Sequence, residues 1–598
     1  MRIINLIILG SLIALAGCNT GQKSSIQPTV FEQSNGTRTA SYAQTIEYCN
    51  KTAKKSSKIK YIPIGKTPQN RIIPLLIIDS KENFTHHKVK QSGNAILLIQ
   101  ANIHPGEPDG NDAGMLLINK MITENNFPKN VTILFLPIVN PDGLARFGAY
   151  NRINQDGPKE MGWRVTAQNY NLNRDYVKVD APEMKYWLKL YNKWLPDFSI
   201  DCHVTDGADY QYILTYLIET LGNMNAAQTT WQKEYITTME QNLMSVNIPM
   251  HRYVTFRKWH DPRSGLYTEP AAPRYTQGYA AVQNRPGILL EAHSLKPFPI
   301  RVKAMLALFN ETIAYLEKNS KKLIELNKKA DQEAIELYSK GEPFPLTYST
   351  INECDTVDFL GVEYDIVKSD LTDGDWFKYY PDKPTTFRLP YYNKIKSEIM
   401  ADIPAAYIVG PEWQFIKRGL DIHNIEYFKV REETDIVAST WQCTNPMWSS
   451  TPFEGHFLLR NVILNKISKQ QKWPAKSIVI PTNQRRARLI IHMFDPNSPD
   501  SYFRNGFFNS IFERKEYYET YVMERIAREM IDSIPELKQK FIAWRDAQES
   551  KPDQYEQLGW FYEQSPYFNY KRNLYPISTL TNEQLSDLKS RIKREKKN

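Results

Sequence analysis

An α/β domain followed by a smaller β-rich module is the fold class this sequence predicts, and three observations predict it. Between about Tyr42 and Glu317, apolar strand-like runs alternate with helix-like stretches, the pattern of a sheet covered by helices on both faces. A chain of 598 residues exceeds what one hydrophobic core accommodates, so two or more domains are expected. From about Gly341 to Ala475 the composition shifts to Tyr, Trp, Phe, Pro and Thr in short strand-like runs.

The elements follow in order. Arg2 and the apolar run Ile4 to Leu15 end in Leu15-Ala16-Gly17-Cys18; the run is too short for a permanent membrane span. The ending resembles a bacterial lipobox, which implies a signal peptide over 1–17, cleavage before Cys18 and lipidation of its thiol. An ordinary secretory signal is the alternative. The lipobox reading makes the protein exported and lipid-anchored to the bacterial cell envelope, on a periplasmic or surface side. Residues 18–40 are polar and read as a tether. The α/β domain is expected over 41–330. Its strands are Ile72 to Ile78, Ala95 to Ile99, Val131 to Val139, Phe198 to Cys202 and Gly287 to Leu290. Its helices are Asn111 to Ile122, Pro182 to Trp194, Asn225 to Met244 and Val302 to Leu316. A Lys- and Glu-rich stretch, Asn319 to Lys340, leads into an accessory region over 331–598, β-rich first and then helical around Lys515 to Ile534 and Glu536 to Asp546. That region has no assigned chemistry; a cap narrowing access to the first domain is the role expected of it.

Composition sets limits on function. The chain is 41% apolar and 12% aromatic, as folded proteins are, and its net charge of +9 is small for its length. Without a glycine-rich phosphate loop or zinc-finger spacing, nucleic acid is not an expected partner. Beyond Cys18, the four cysteines Cys49, Cys202, Cys354 and Cys443 show no metal-type spacing.

The chemistry-bearing residues gather at strand ends. His104 and Glu107, in Asn102-Ile103-His104-Pro105-Gly106-Glu107, follow the run Ala95 to Ile99. An imidazole and a carboxylate on one turn can hold a cation but leave a zinc site short of one protein ligand. His203, after Phe198 to Cys202 and 96 residues past Glu107, supplies it and leaves one position open, as catalytic zinc requires. Glu291 closes the apolar run Gly287 to Leu290, where a carboxylate is costly unless paired or used; a general base belongs in such a place. His293, two residues on, either backs Glu291 or competes for the metal, and the first is expected. Asn173 and Arg174 set an amide beside a guanidinium, suited to a carboxylate, and Arg164 lies nine residues before Asn173, available to a developing oxyanion.

In this order the motifs resemble those of the zinc carboxypeptidase family, of which carboxypeptidase A is a familiar member. His104-Pro-Gly-Glu107 resembles its metal pair, Asn140-Pro141-Asp142-Gly143 the loop that follows, and Asn171-Leu-Asn173-Arg174 its carboxylate-binding segment. His203 matches the third ligand, Glu291 the general base, and Arg164 the oxyanion arginine of short-loop relatives. The resemblance covers about Tyr42 to Leu316. It implies an α/β/α sandwich with a mixed, twisted sheet, one Zn2+ per chain, and a peptide or amide substrate with a free carboxylate. Members commonly carry Asp where this chain has Asn171, so the partner of the first histidine lacks its charge. For the tyrosine that covers the substrate carboxylate, Tyr267 is the first candidate and Tyr275 a close second. Arg274 falls near the segment that sets the side-chain pocket; there it would favour an acidic terminal residue, and a structural salt bridge is its other reading.

The function expected is hydrolysis of a carboxyl-terminal amide. One alternative keeps the chemistry and changes the substrate to peptidoglycan stem peptides or acylated small molecules. Another is a peptide- or glycan-binding lipoprotein with a vestigial zinc site.

Overall fold

The computed structural model of the chain describes residues 27–205 and 207–594; Cys18 and the lipobox lie outside the described residues. The chain enters through the short helix α1 (Val30–Gln33) and α2 (Tyr42–Lys55). Each starts with a reciprocal capping box, Thr29 with Glu32 and Ser41 with Gln44, which satisfies otherwise orphaned amides. Phe31 is buried against Phe298 at a centroid separation of 5.6 Å. The last part of the stretch assigned to a tether, from Val30 to Ala40, is therefore packed on the fold, because its few apolar residues find a surface.

There follow β1 (Ile59–Lys66), β2 (Ile72–Ile78), α3 (His86–Ser92), β3 (Ala95–Gln100), α4 (Asp109–Thr123), β4 (Val131–Leu136), α5 (Pro141–Ala145), α6 (Pro182–Trp194) and β5 (Phe198–Thr205). Next come β6 (Leu214–Ile218), α7 (Ala226–Ser245), β7 (Met250–Arg252), β8 (Leu266–Tyr267), α8 (Thr276–Val282), β9 (Gly287–His293) and α9 (Phe298–Ile335). Eight of the strands form one mixed sheet in the order β1-β2-β4-β3-β5-β9-β6-β7, with β4, β3, β5 and β9 mutually parallel. After β3 the chain adds β4 on one side and then returns to add β5 on the other. The carboxyl ends of β3 and β5 thus flank a switch point, where open α/β sheets form a crevice.

Strand alternation divides the sheet into two buried faces. Leu97, Ile99, Ile200, Cys202, Ile288 and Leu290 pack with α4, α7 and α9. Ile96, Leu98, Leu134 and Leu136 pack with α6 and with Tyr279 and Val282 of α8. Each fully buried side chain of this size contributes about 2 kcal/mol.

The second face is not closed by α6 and α8 alone. Its core continues into Tyr407, Ile416, Leu420, Leu489, Ile490 and Met493 of the accessory region. That region holds a six-stranded sheet (Phe428–Lys429, Ile478–Pro481, Ala406–Val409, Ile577–Leu580, Thr434–Trp448, Leu459–Trp473, in spatial order) with helices Phe415–Ile422 and Ala487–Phe494. A hairpin, Asp355–Lys368 with Asp375–Tyr392, pairs in parallel with β8. Helices Thr520–Ser533, Leu537–Asp546 and Gln554–Gln564 carry a small core of their own around Met523, Leu558 and Phe561. The boundary expected near residue 330 falls inside α9, a single helix of 38 residues. Its Lys- and Glu-rich second half remains helical because Leu323, Asn327, Ala330 and Ala334 form a buried stripe, and Asp331 there pairs with Arg285 at 2.8 Å. No helix among the described residues is long and apolar enough to cross a membrane.

Candidate metal centre and active site

Local backbone chemistry places the first two donors. Beyond β3, Asn102 adopts a left-handed φ of 54°, which asparagine tolerates better than most residues. Its Nδ2 donates to the Pro137 carbonyl at 2.9 Å and its carbonyl accepts Asn140 N–H at 3.1 Å. The turn that follows closes with Glu107 N–H on the His104 carbonyl at 2.9 Å. Gly106 sits in it because a Cβ would lie 2.6 Å from Arg152 Cγ. Asn140, which caps α5, accepts Gly143 N–H at 2.9 Å, and the Gly143 carbonyl in turn accepts Trp163 N–H at 2.8 Å. The Asn140 to Gly143 loop therefore frames the segment that carries Arg164.

His203 comes from β5, inside the strand rather than after it. His203 Nδ1 is 3.0 Å and His104 Nδ1 3.3 Å from the same Glu107 oxygen, and the three donor atoms lie within 4.8 Å of one another, all buried. Two imidazoles and one carboxylate fit a zinc ion that keeps a position open. Each ring's other nitrogen donates outward: His104 Nε2 to Asn171 Oδ1 at 2.8 Å and His203 Nε2 to Asp201 Oδ2 at 2.9 Å. With each Nε2 turned outward, both Nδ1 atoms face the cluster. Burial lowers the His104 pKa despite Glu107. Burial opposes charge on His203 too, but Asp201 and Glu107 outweigh it and hold that ring well above the ordinary range. Burial alone would raise Glu107; His104 and Arg152 instead hold it well below the usual carboxylate range.

Sequence reasoning missed two of these residues. Asp201 was legible, since two residues before His203 in a strand is the same face. Arg152, whose Nη1 is 3.0 Å from Glu107 Oε1, comes from an irregular segment with no periodicity to read. Arg164 Nη1 reaches the same oxygen at 3.1 Å and remains partly open to solvent.

Glu291 is set by strand register. β5 and β9 run parallel with His203 opposite Glu291. Because Ile200, Cys202, Leu290 and Ala292 face the core beneath, Asp201, His203, Glu291 and His293 project from the other side. His293 neither backs Glu291 nor competes for the metal: its Nε2 lies 3.0 Å from Asp209 Oδ1 and its ring stacks on Tyr210 at 4.1 Å. The expectation failed because Asp209, from the loop after β5, fills the space beside it.

Asn173 and Arg174 lie in the short 3-10 turn Leu172–Arg174, capped by Asn171 Oδ1 accepting Asn173 N–H at 3.0 Å. Arg174 Nη1 donates to the Asn173 carbonyl at 2.7 Å, and its guanidinium sits over the Tyr275 ring at 4.6 Å. Tyr267, in β8, instead lines a cavity of about 300 Å³ with Arg257, Glu269, Thr350 and Tyr392. Of the two tyrosines, the fold brings Tyr275 to Arg174. Arg274 is ion-paired through Nε with the buried Asp500 of the accessory region at 2.6 Å, and its N–H reaches the same carboxylate at 3.1 Å. This is the structural salt bridge of the two readings given to it.

A mixed α/β sheet whose switch point gathers two histidines and a glutamate offers a buried site suited to a divalent metal ion. Comparison with known proteins makes this specific. Residues 45–205 match the family model for zinc carboxypeptidase. Carboxypeptidase 2 of Trichophyton rubrum is 20% identical over 531 residues, 83% of this chain and 90% of that protein. Carboxypeptidase 2 of Trichophyton equinum is 19% identical over the same shares of the two chains. Among solved structures, carboxypeptidase A from Helicoverpa armigera aligns with 47% of this chain and 73% of its own, at 14% identity and a TM-score of 0.35. A metallo-carboxypeptidase from Burkholderia cenocepacia aligns with 46% of this chain and 69% of its own, at 14% identity and a TM-score of 0.35. Residues 45–205 thus resemble the zinc carboxypeptidase family, and the similarity to carboxypeptidases along most of the chain supports a metallocarboxypeptidase.

Proposed function

We propose that this chain removes single residues from the carboxyl ends of peptides, using one zinc ion held by His104 Nδ1, Glu107 and His203 Nδ1. The observation that carries the reading is the register that sets Glu291 directly beside His203. Bound zinc supplies a Lewis acid that polarises a carbonyl and eases deprotonation of a water. The protein's own residues do the rest. Arg174 and Asn173 take the substrate's terminal carboxylate, with Tyr275 packed over the guanidinium. This anchor turns the scissile carbonyl toward Arg164, whose N–H groups receive the developing negative charge. Glu291 takes a proton from the attacking water as its oxygen bonds to the carbonyl carbon. It then delivers that proton to the amide nitrogen as the C–N bond breaks. The remaining proton of the attacking water passes to the amine as the new carboxyl group ionises, so a carboxylate and a free amino acid leave, and Glu291 ends as it began.

Mass spectrometry of a mixed peptide library tests this. Loss of single carboxyl-terminal residues, abolished by a chelator and restored by zinc, is the expected result; cleavage at internal bonds alone would overturn it. The anchor has its own test. Arg174→Ala should lower kcat/KM on a free-acid peptide about 100-fold, the loss of a charge-assisted contact of roughly 3 kcal/mol. On the same peptide as a carboxyl-terminal amide the loss should be several times smaller, because no carboxylate is there to hold. Equal losses on both would remove Arg174 from the anchoring role.

We propose further that Cys18 carries lipid and holds the protein to the cell envelope. Metabolic labelling with a fatty-acid probe in a bacterial host should tag the protein and fail with Cys18→Ala. Labelling that survives this substitution would exclude a lipid on Cys18.

A further inference from the structure

The two imidazoles of the metal centre are backed unequally. His203 donates to a carboxylate, Asp201, whereas His104 donates to the neutral amide of Asn171. A carboxylate is nevertheless present one peptide away: Glu454 Oε2 accepts the backbone N–H of Asn171 at 2.8 Å. Glu454 lies 283 residues further along the chain, in the accessory region.

The backbone around Glu454 is arranged for this contact. Phe453 and His456 exchange both of their hydrogen bonds, at 2.8 and 3.0 Å, so Glu454 and Gly455 form a two-residue hairpin loop. Their φ angles are 48° and 83°, the left-handed pair such a loop requires. Asparagine, aspartate or glycine normally occupies the first position; glutamate there is strained. Strain of this kind persists where the surroundings impose it, and it clusters at functional sites. Two neighbours hold the loop down. Gly455 packs against the Tyr170 ring so closely that a Cβ would lie 3.1 Å from it, and His456 Nε2 lies 2.7 Å from Asp180 Oδ2.

We propose that Glu454 is a positioning residue of the metal centre: it fixes Asn171 and, through Asn171, His104, bringing from the accessory region the negative charge that Asn171 lacks. The inference rests on His104, Glu107 and His203 being the metal ligands. It makes the accessory region a contributor to the metal centre beyond any role as a cap.

Zinc affinity, measured on the full chain by competition with a chromogenic chelator, tests the inference. Glu454→Gly is the decisive variant, because glycine relieves the strained φ and leaves the loop free to keep its fold. It should weaken zinc binding about 10-fold, the lower end of what outer partners of metal ligands contribute. Glu454→Gln, which keeps an acceptor and drops the charge, should fall between Glu454→Gly and the parent. Adding Asn171→Asp to Glu454→Gly should restore affinity to within about threefold of the parent, since the charge returns to the position next to His104. The absorption bands of the cobalt-substituted protein should shift in Glu454→Gly and return in the double variant. A loop that serves docking alone would move neither readout. Zinc affinity in Glu454→Gly within twofold of the parent overturns the role of Glu454 while leaving the metal centre standing. Failure of the unsubstituted protein to bind zinc removes the ligand set itself and this inference with it.

Discussion

Replacing Glu291 with Gln should lower kcat on a carboxyl-terminal peptide by about 100- to 10,000-fold, the range for a positioned general base, while zinc stays bound at its full stoichiometry. The exchange keeps shape and one acceptor oxygen but removes the ability to take a proton. It should leave the fold intact, because the side chain is only half buried and sits at the carboxyl end of a strand whose core contacts come from Leu290 and Ala292. KM should change little, since the terminal carboxylate is held by Asn173 and Arg174. Loss of rate without loss of substrate or metal binding marks a group used in the transition state alone. Activity within tenfold of the parent would move the base elsewhere. Loss of zinc along with activity would make Glu291 a ligand instead.

Arg301→Met should produce the largest loss of stability among single substitutions in the first domain, about 3 to 5 kcal/mol, read as a lower urea midpoint. Arg301 projects from the start of α9 with its side chain fully buried. Its Nε binds Asp109 Oδ1 at 2.7 Å, and Nη1 donates to the Asp156 and Lys296 carbonyls at 2.8 Å each. Nη1 also reaches the Ser294 carbonyl at 3.1 Å, and Nη2 the Gly157 carbonyl at 2.9 Å. Methionine fills much of the volume and satisfies none of these acceptors, so a buried carboxylate and four carbonyls lose their partner. The cost belongs mainly to the abandoned Asp109. The double variant Arg301→Met with Asp109→Leu should therefore regain a large part of the loss, as replacement of a whole buried ion pair commonly does. A double variant no more stable than Arg301→Met would assign the cost to the carbonyls alone.

The parts of the site that were legible in the sequence share a local cause. His104 and Glu107 sit on one turn after an all-apolar strand, and both the apolar run and the metal-type spacing lie within a dozen residues. Glu291 was legible because a carboxylate closing an apolar strand is costly and invites an explanation. What escaped depends on contacts across long sequence separations. Arg152 reaches Glu107 from an irregular loop, and Asp500 takes up Arg274 from 226 residues away. His293 read as a partner of Glu291 because strand alternation set both on one face; the loop that delivers Asp209 carries no pattern that would have said otherwise. For the larger fold, alternating strands and helices gave the sheet and its helical layers. The continuity of α9 was hidden because its charged second half looks like a linker, and the few small residues that hold it down, such as Ala330 and Ala334, carry little hydrophobic signal.

The core shared between the second face of the sheet and the accessory region has a consequence for how the molecule comes apart. Tyr407, Ile416 and Leu489 touch the same apolar cluster as Leu98, Trp187 and Tyr279, so removing the residues after α9 would uncover part of the sheet's interior rather than a finished surface. The two regions should melt together in one transition, and a gene trimmed to the first domain should yield aggregate rather than a smaller enzyme. In biosynthesis the emerging first domain would then wait, one face unsheltered, until the ribosome has released the chain that covers it.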